Sequence, residues 1–378
     1  YHYMPRESNI DNREKLINVL DEIHVKIFKR LIEFLDGRTA VLPLSAGYDS
    51  RVIAMMLKRL GYENVICYTY GKPGNWESTI SEQIAHELNY KWIFIPYTKA
   101  AWKNWINSQE TKEYFALSSQ YTSLPHIQDH LAVGELKRRE LIPVDSVFIP
   151  GHTAILSFSG YDSEASTINH ISNCLLKKHY SLWSWSRKDT KQFRNDLESR
   201  LIEQLKNISY NENSLANIFY KWELQERHAK FICNSVRAYE HYGYEWALPL
   251  WEKELLEFWV NTPINNRINK NLYKIYFNNK ANGQKNTSSI EPNTRKELDK
   301  ISSFKVLLKK SKALYDILLK FIKLNEYRMH PINWYYIMSF GRDFKGIYNG
   351  ANNINSFLTL DYIKSVEINS GIELLKEK

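Results

Sequence analysis

The chain has 378 residues, 43% of them hydrophobic, and a formal net charge of +9, enough apolar material to bury one large core or two smaller ones. No apolar run approaches the roughly 20 residues that span a bilayer, and no basic start precedes an apolar stretch as in a secretory leader. Cys67, Cys174 and Cys233 show neither disulfide nor zinc spacing, so the expected compartment is the cytoplasm.

In chain order, residues 12–36 repeat apolar side chains at helical spacing (Leu16, Leu20, Ile23, Ile27, Leu31, Phe34, Leu35), and Gly37 ends the helix. An apolar strand follows from Val41 and runs into Ser45, Ala46, Gly47, Tyr48, Asp49 and Ser50, after which a second helix begins. A buried strand, a small-residue turn and a helix start make a phosphate cradle, because the turn exposes N–H groups and the helix adds its partial positive charge. Residues 64–70 read as a second strand ending at Gly71, and 77–89 as a helix through Ile80, Ile84, Ala85 and Leu88. Residues 91–97 read as a third strand. This alternation predicts an α/β fold, a parallel sheet with flanking helices, whose ligands bind beyond the carboxyl ends of the strands.

The sheet region is expected to reach about Ile155, with helices dominating from Asn169 onward. A polar segment, residues 278–294, reads as a loop or linker. Residues 296–328 carry lysines around Phe304, Leu307, Leu308, Leu314, Ile317, Leu318 and Phe321, the pattern of an amphipathic helix with a solvated basic face. The expected organisation is a main domain over 1–277 and a basic, mainly helical extension over 278–378. Gly-Tyr-Asp-Ser at 47–50 recurs at 160–163 with no shared flanking pattern, a coincidence.

Ser45 to Ser50 resembles the S-G-G-x-D-S signature of the PP-loop ATP pyrophosphatases and departs from it at Ala46. Residues 244–258 (Y-E-W-A-L-P-L-W-E-K-E-L-L-E-F) resemble the asparagine synthetase pattern E-A-R-V-P-F-L-D-x-E-L-V-E-F. Glu245, Pro249, Leu250, Glu252, Glu254, Leu255 and Phe258 stand in register, Ala247 falls on the family arginine and Glu252 on its aspartate. Residues 263–276 are similar to the segment carrying the synthetase-site lysine, which places it at Lys270, and residues 123–151 to the stretch leading to the pyrophosphate-binding turn, which places Gly151 there. The resemblance covers about residues 12–277.

It implies a PP-loop fold and a two-step reaction. A substrate carboxylate attacks the α-phosphorus of ATP, releasing pyrophosphate, and ammonia then displaces AMP to leave an amide. Ser45, Ala46, Gly47, Tyr48, Asp49 and Ser50 would hold the phosphates, Tyr70 and Gly71 the adenine, and Asp49 the Mg2+. Lys270 would stabilise charge on the transferred phosphate, and Glu245 would position the amine or take its proton. Arg51 is a further candidate for a phosphate contact.

Two departures from the family pattern stand out. The family's acidic pyrophosphate turn is Pro150, Gly151, His152, Thr153, Ala154, Ile155 and Leu156 here, with Asp162 the nearest carboxylate. No cysteine precedes Cys67 and Tyr1 opens the sequence. The expectation is therefore a piece of a longer protein that does not hydrolyse glutamine itself and draws ammonia from solution or from a separate glutaminase. The altered turn and the Trp246–Trp251 region resemble versions associated with bacterial surface polysaccharides, which implies a uronic-acid sugar as acceptor, with Trp246 and Trp251 as stacking walls. Asparagine synthesis from aspartate, a degenerate nucleotide-binding scaffold, and a tRNA-modifying PP-loop adenylase are the alternatives. The last would show salt-dependent RNA binding and no role for residues 245–258, and no specific nucleic-acid partner is expected.

Overall fold

The asparagine at position 12 starts the first helix by a defined chemistry. In the computed structural model its side-chain oxygen accepts from the backbone N–H groups of Glu14 and Lys15 at 2.9 and 3.3 Å, the N-cap arrangement that satisfies otherwise unpaired donors. The structure describes residues 12–119, 123–152, 161, 164–180, 188–209, 214–281, 328–333, 336, 355–356, 358–359 and 362. Helix α1 (Arg13–Leu35) ends where Asp36 and Gly37 turn to positive φ, 47° and 79°. Its buried stripe is Leu16, Ile17, Leu20, His24, Ile27, Phe28, Leu31 and Leu35. Phe34, expected in that stripe, is instead exposed, with the Arg38 guanidinium 5.1 Å above its ring.

Strand β1 (Ala40–Pro43), helix α2 (Tyr48–Arg59), strand β2 (Val65–Gly71), helix α3 (Trp76–Glu87) and strand β3 (Lys91–Pro96) follow, within a residue or two of the pattern read from the sequence. Helices α4 (Lys99–Asn107), α5 (Gln109–Ser119) and α6 (His130–Arg138) lead to strand β4 (Val147–Phe148). The described helical segments Ile168–His179, Lys188–Ser209 and Leu215–Trp222 come next, then a π-helical stretch, Glu223–Ile232.

The expected sheet ended near Ile155, but one more strand joins it from beyond these helices: β5 (Glu245–Trp246) pairs with β4. The sheet is parallel and five-stranded, in the order β3-β2-β1-β4-β5. Helices lie on both faces. Residues of α1, α2 and α3 share one core with the later helices, whereas Trp102, Trp105, Leu131, Val133 and Tyr239 build the other. Because β1 is flanked by β2 on one side and β4 on the other, the chain reverses its winding there. That reversal opens a crevice at the carboxyl ends of β1 and β4.

The expected boundary after residue 277 falls inside a helical turn, Phe277–Ala281, and Phe277 is fully buried. Residues 282–294 of the expected linker, and all but Arg328 of the expected basic helix, lie outside the described residues. The described parts of the extension pack on the main domain. The Pro331 carbonyl accepts from Lys72 N at 2.6 Å, and the Ile332 carbonyl from Trp102 Nε1 at 3.2 Å. No helix among the described residues is long and apolar enough to cross a membrane.

Candidate active site

Where β1 ends, the chain is tied to β2 before it turns. Leu44 N donates to the Tyr68 carbonyl at 2.9 Å, and Thr69 Oγ1 donates to the Leu44 carbonyl at 2.7 Å. Two hydroxyls then shape the loop. Ser45 N donates to Ser50 Oγ at 3.1 Å, Ser45 Oγ meets Ser50 Oγ at 3.1 Å, and Gly47 N donates to Ser45 Oγ at 3.2 Å. Helix α2 starts with Gly47 at its N-cap and no side-chain cap, leaving its partial positive end for an outside anion.

The loop has a second wall. A Cβ added to Gly151, after β4, would lie 2.6 Å from Ser50 N, 2.9 Å from Ser50 Cα and 3.0 Å from the Asp49 carbonyl carbon. Only glycine lets the two backbones approach this closely.

Arg51, a candidate for a phosphate contact, is placed otherwise. It is buried, donates to the Ala46 carbonyl, and lies over the Tyr48 and Phe277 rings at 5.4 and 5.6 Å. It braces the loop from behind. Ala46 is buried with it, and contributes backbone to the loop while its side chain faces the core.

The crevice is a cleft of about 740 Å³ lined by Ser45, Gly47, Tyr48, Asp49, Ser50, Tyr70, Gly151 and Lys270 among others. Lys270 Nζ stands 3.6 Å from Asp49 Oδ2. Lys270 holds a left-handed backbone, φ 57°, a conformation that costs about 1 kcal/mol or more outside glycine and collects at functional positions. Burial pushes the Asp49 carboxyl above its usual range against the opposing pull of Lys270. Its Oδ1 is buried and makes no close hydrogen bond, with the Tyr273 hydroxyl interacting with the carboxylate. One carboxylate oxygen beside a phosphate cradle fits magnesium, which is typically held by one or two carboxylates plus substrate phosphates.

Gly71, Glu245, Trp246 and Trp251 are not brought to this cleft. Gly71 lies under the extension: a Cβ there would meet the Pro331 carbonyl oxygen at 2.5 Å, so Tyr70 alone of that pair faces the cleft. Glu245 is level with Val147, and Val147 with Ala40, which puts it at the amino end of the sheet. It is exposed there and ion-paired to Arg38 at 2.9 Å. The proposed stacking walls are also elsewhere. Trp246 Nε1 donates to Glu240 at 2.9 Å, Trp251 stacks on His228 at 6.5 Å, and neither lines the cleft. Asp162 lies outside the described residues.

Sequence reasoning missed the opposite wall: His126, Gln128, Asp129, His152, Arg227, Phe231 and Tyr239. Asp129 Oδ2 accepts from Tyr239 Oη at 2.7 Å, and burial raises its pKa to about 6. Burial lowers His126 to about 4 and His152 to about 3, so both rings are neutral at pH 7, and His152 Nε2 meets Ser235 Oγ at 2.6 Å. Arg227 and Phe231 belong to the π-helical stretch and both line the cleft; π-helical turns are rare and often found at functional sites. The sequence signal for part of this wall was the stretch 123–151, similar to the family segment that leads to the pyrophosphate-binding turn, which gave no role to His126, Gln128 or Asp129 as side chains.

A parallel α/β sheet with a small-residue loop at its winding reversal, facing a carboxylate and a lysine, is an architecture of the PP-loop class. The asparagine synthase family profile matches residues 38–283, and the chain belongs to that family, whose general activity is ATP-dependent amide formation by a ligase. The search of curated proteins gives no match. Among solved structures, the NH3-dependent NAD synthetase from Campylobacter jejuni subsp. jejuni NCTC 11168 in complex with the nitrate ion is similar at 17% identity. The match covers 59% of this chain and 96% of that one with a TM-score of 0.29, too low to carry a structural argument.

Proposed function

We propose that the cleft binds ATP at the Ser45–Ser50 loop, that a carboxylate substrate attacks the α-phosphorus, and that ammonia then displaces AMP to form an amide. The observation that carries this reading is the joint arrangement at Asp49. Its buried Oδ1, its Lys270 partner, the uncapped start of α2 and the backbone of Gly151 all meet at one point. Ser45, Gly47, Ser50 and the first turn of α2 would accept the phosphates. Lys270 would neutralise charge gathering on the departing pyrophosphate. Asp49 would hold Mg2+, which when bound adds Lewis-acid stabilisation of phosphate charge.

The acceptor we favour is a sugar uronic acid in preference to free aspartate. Support comes from the far wall, where the Phe231 ring offers an apolar face and Gln128, His126 and His152 offer polar atoms to hydroxyl groups. The test is pyrophosphate release from Mg-ATP across a panel of acids that includes aspartate and a nucleotide-linked uronic acid. Release with the uronic acid supports the full reading. Release with aspartate and ammonium alone, yielding asparagine, overturns the sugar assignment. A second reading, nucleotide binding without catalysis, is favoured by the turn after β4, whose described residues Pro150, Gly151 and His152 include no carboxylate. Tight Mg-ATP binding with no release for any acid would decide for it.

A further inference from the structure

The far wall holds two polar atoms without partners, side by side. Asp129 is 4% exposed, and its Oδ1 has no hydrogen bond; His126 Nδ1 has none either. The two atoms are 4.0 Å apart, too far to bond each other. Both residues line the cleft that holds the phosphate loop.

Asp129 stands at the N-cap of α6, where a carboxylate ordinarily bonds the first free amides, yet it makes no side-chain cap. Its Oδ2 is taken by Tyr239, and Tyr68, Tyr70, Tyr97 and Tyr114 are the other titratable groups its charge acts on. Among the described residues no lysine or arginine pairs with it. A buried carboxylate needs a cation or a proton, and this one lines the cleft.

We propose that the gap between Asp129 Oδ1 and His126 Nδ1 binds the ammonium ion that supplies the amide nitrogen, an assignment that rests on the synthetase reading above. A nitrogen placed about 2.8 Å from both atoms lies about 2 Å off the line joining them, and two N–H bonds diverging near the tetrahedral angle reach both acceptors. His126 serves as acceptor in the tautomer carrying its proton on Nε2. Burial and the charge of Arg227 keep that ring neutral. Asp129 then takes one proton from ammonium. The freed lone pair forms the C–N bond at the activated carbonyl as the C–O bond to AMP breaks, AMP leaves with that electron pair, and the second proton passes to solvent. The role expected of Glu245 thus falls to a carboxylate inside the cleft.

The test uses the full chain and the chloride salts of ammonium, potassium and sodium at equal ionic strength and pH 7.5, with the melting temperature as readout. Ammonium should raise it above both other salts, and Asp129→Asn should remove that difference. The ammonium rise should persist in saturating Mg-AMPCPP. An equal response to potassium marks a generic cation site and overturns the assignment, as does a difference retained in Asp129→Asn. Competition between ammonium and AMPCPP would mean that Asp129 receives the adenine amine, and also overturns it. Should Asp129→Asn fail to fold, anomalous diffraction from wild-type crystals soaked in thallium(I), an ammonium mimic, decides by a peak between the two atoms or none there. AMPCPP binding to the wild type is read separately, so failure of the nucleotide reading is distinguishable from failure of the ammonium site.

Discussion

Gly151→Ala should damage nucleotide binding without touching any group that contacts nucleotide through a side chain. The added methyl would sit 2.6 Å from Ser50 N, where ordinary contact begins at 3.4 Å, so the backbones must part by about 0.8 Å. The three nearest atoms all belong to the main chain of the α2 start, which cannot rotate away as a flexible side chain would. Overpacking of this kind costs about 1–3 kcal/mol. If the displacement opens the phosphate loop, affinity for Mg-AMPCPP falls by about tenfold to one hundredfold, at about 1.4 kcal/mol per factor of ten. Isothermal titration measures that affinity and calorimetry the melting temperature. Gly37→Ala is the control: Gly37 holds φ +79° with open space around it, at the amino end of β1. That substitution should cost about 1 kcal/mol of stability and leave nucleotide affinity alone. Wild-type affinity and melting temperature in Gly151→Ala would refute the argument that this contact shapes the loop.

Asp49→Asn should abolish pyrophosphate release with no loss of melting temperature at pH 7. Burial raises the folded pKa of this carboxyl, so its stabilising contribution exists only at low pH and is lost as pH rises through that value; at neutrality the ionised group is a cost. Retained turnover would refute the assignment. Arg51→Met should weaken Mg-AMPCPP binding by about tenfold, the loss expected for a charged hydrogen bond, because the Ala46 carbonyl loses its brace; unchanged affinity would argue against that role. Acid should destabilise the chain through His24, which is fully buried between Phe28 and Tyr276, with Asp21 and Arg59 acting on it, and lowered by burial from 6.5 to about 4. A depressed histidine gives stability that is present above pH 6.5 and lost as pH falls toward 4, here about 3 kcal/mol. His24→Phe should flatten that limb of the melting-temperature profile, and an unchanged slope would refute it.

The first half of the sheet was legible because its signals are local. Short apolar runs and period-3.6 patterns identify β1 to β3 and the flanking helices, and Ser45, Gly47, Asp49 and Ser50 follow directly on a strand. Glu245 was not legible in the same way. Its motif is in register with the family pattern, but a two-residue strand takes its level in the sheet from its partner β4, and no local pattern encodes that. Trp246 and Trp251 show the same limit, since a large aromatic reads alike whether it faces a ligand, Glu240 or His228. Gly71 was correctly placed at a strand end, yet its neighbour comes from residue 331, far along the chain. Lys270 reached the cleft because its position follows from the motif that also places the helix Asn271–Tyr276 against α1 and α2.

The contact between Pro331 and the end of β2 bears on which lengths of this chain can stand alone. A piece cut after Ala281 would keep the phosphate loop, Lys270 and the whole sheet, and would still match the family profile almost entirely. It would nevertheless uncover the Gly71 backbone, strip the Ile332 carbonyl from Trp102, and remove Asn355 and Leu358 from the cleft wall. The described residues around Pro331, Ile332, Asn355 and Leu358 therefore belong to the surroundings of the cleft, and a piece that keeps those surroundings reaches beyond residues 38–283.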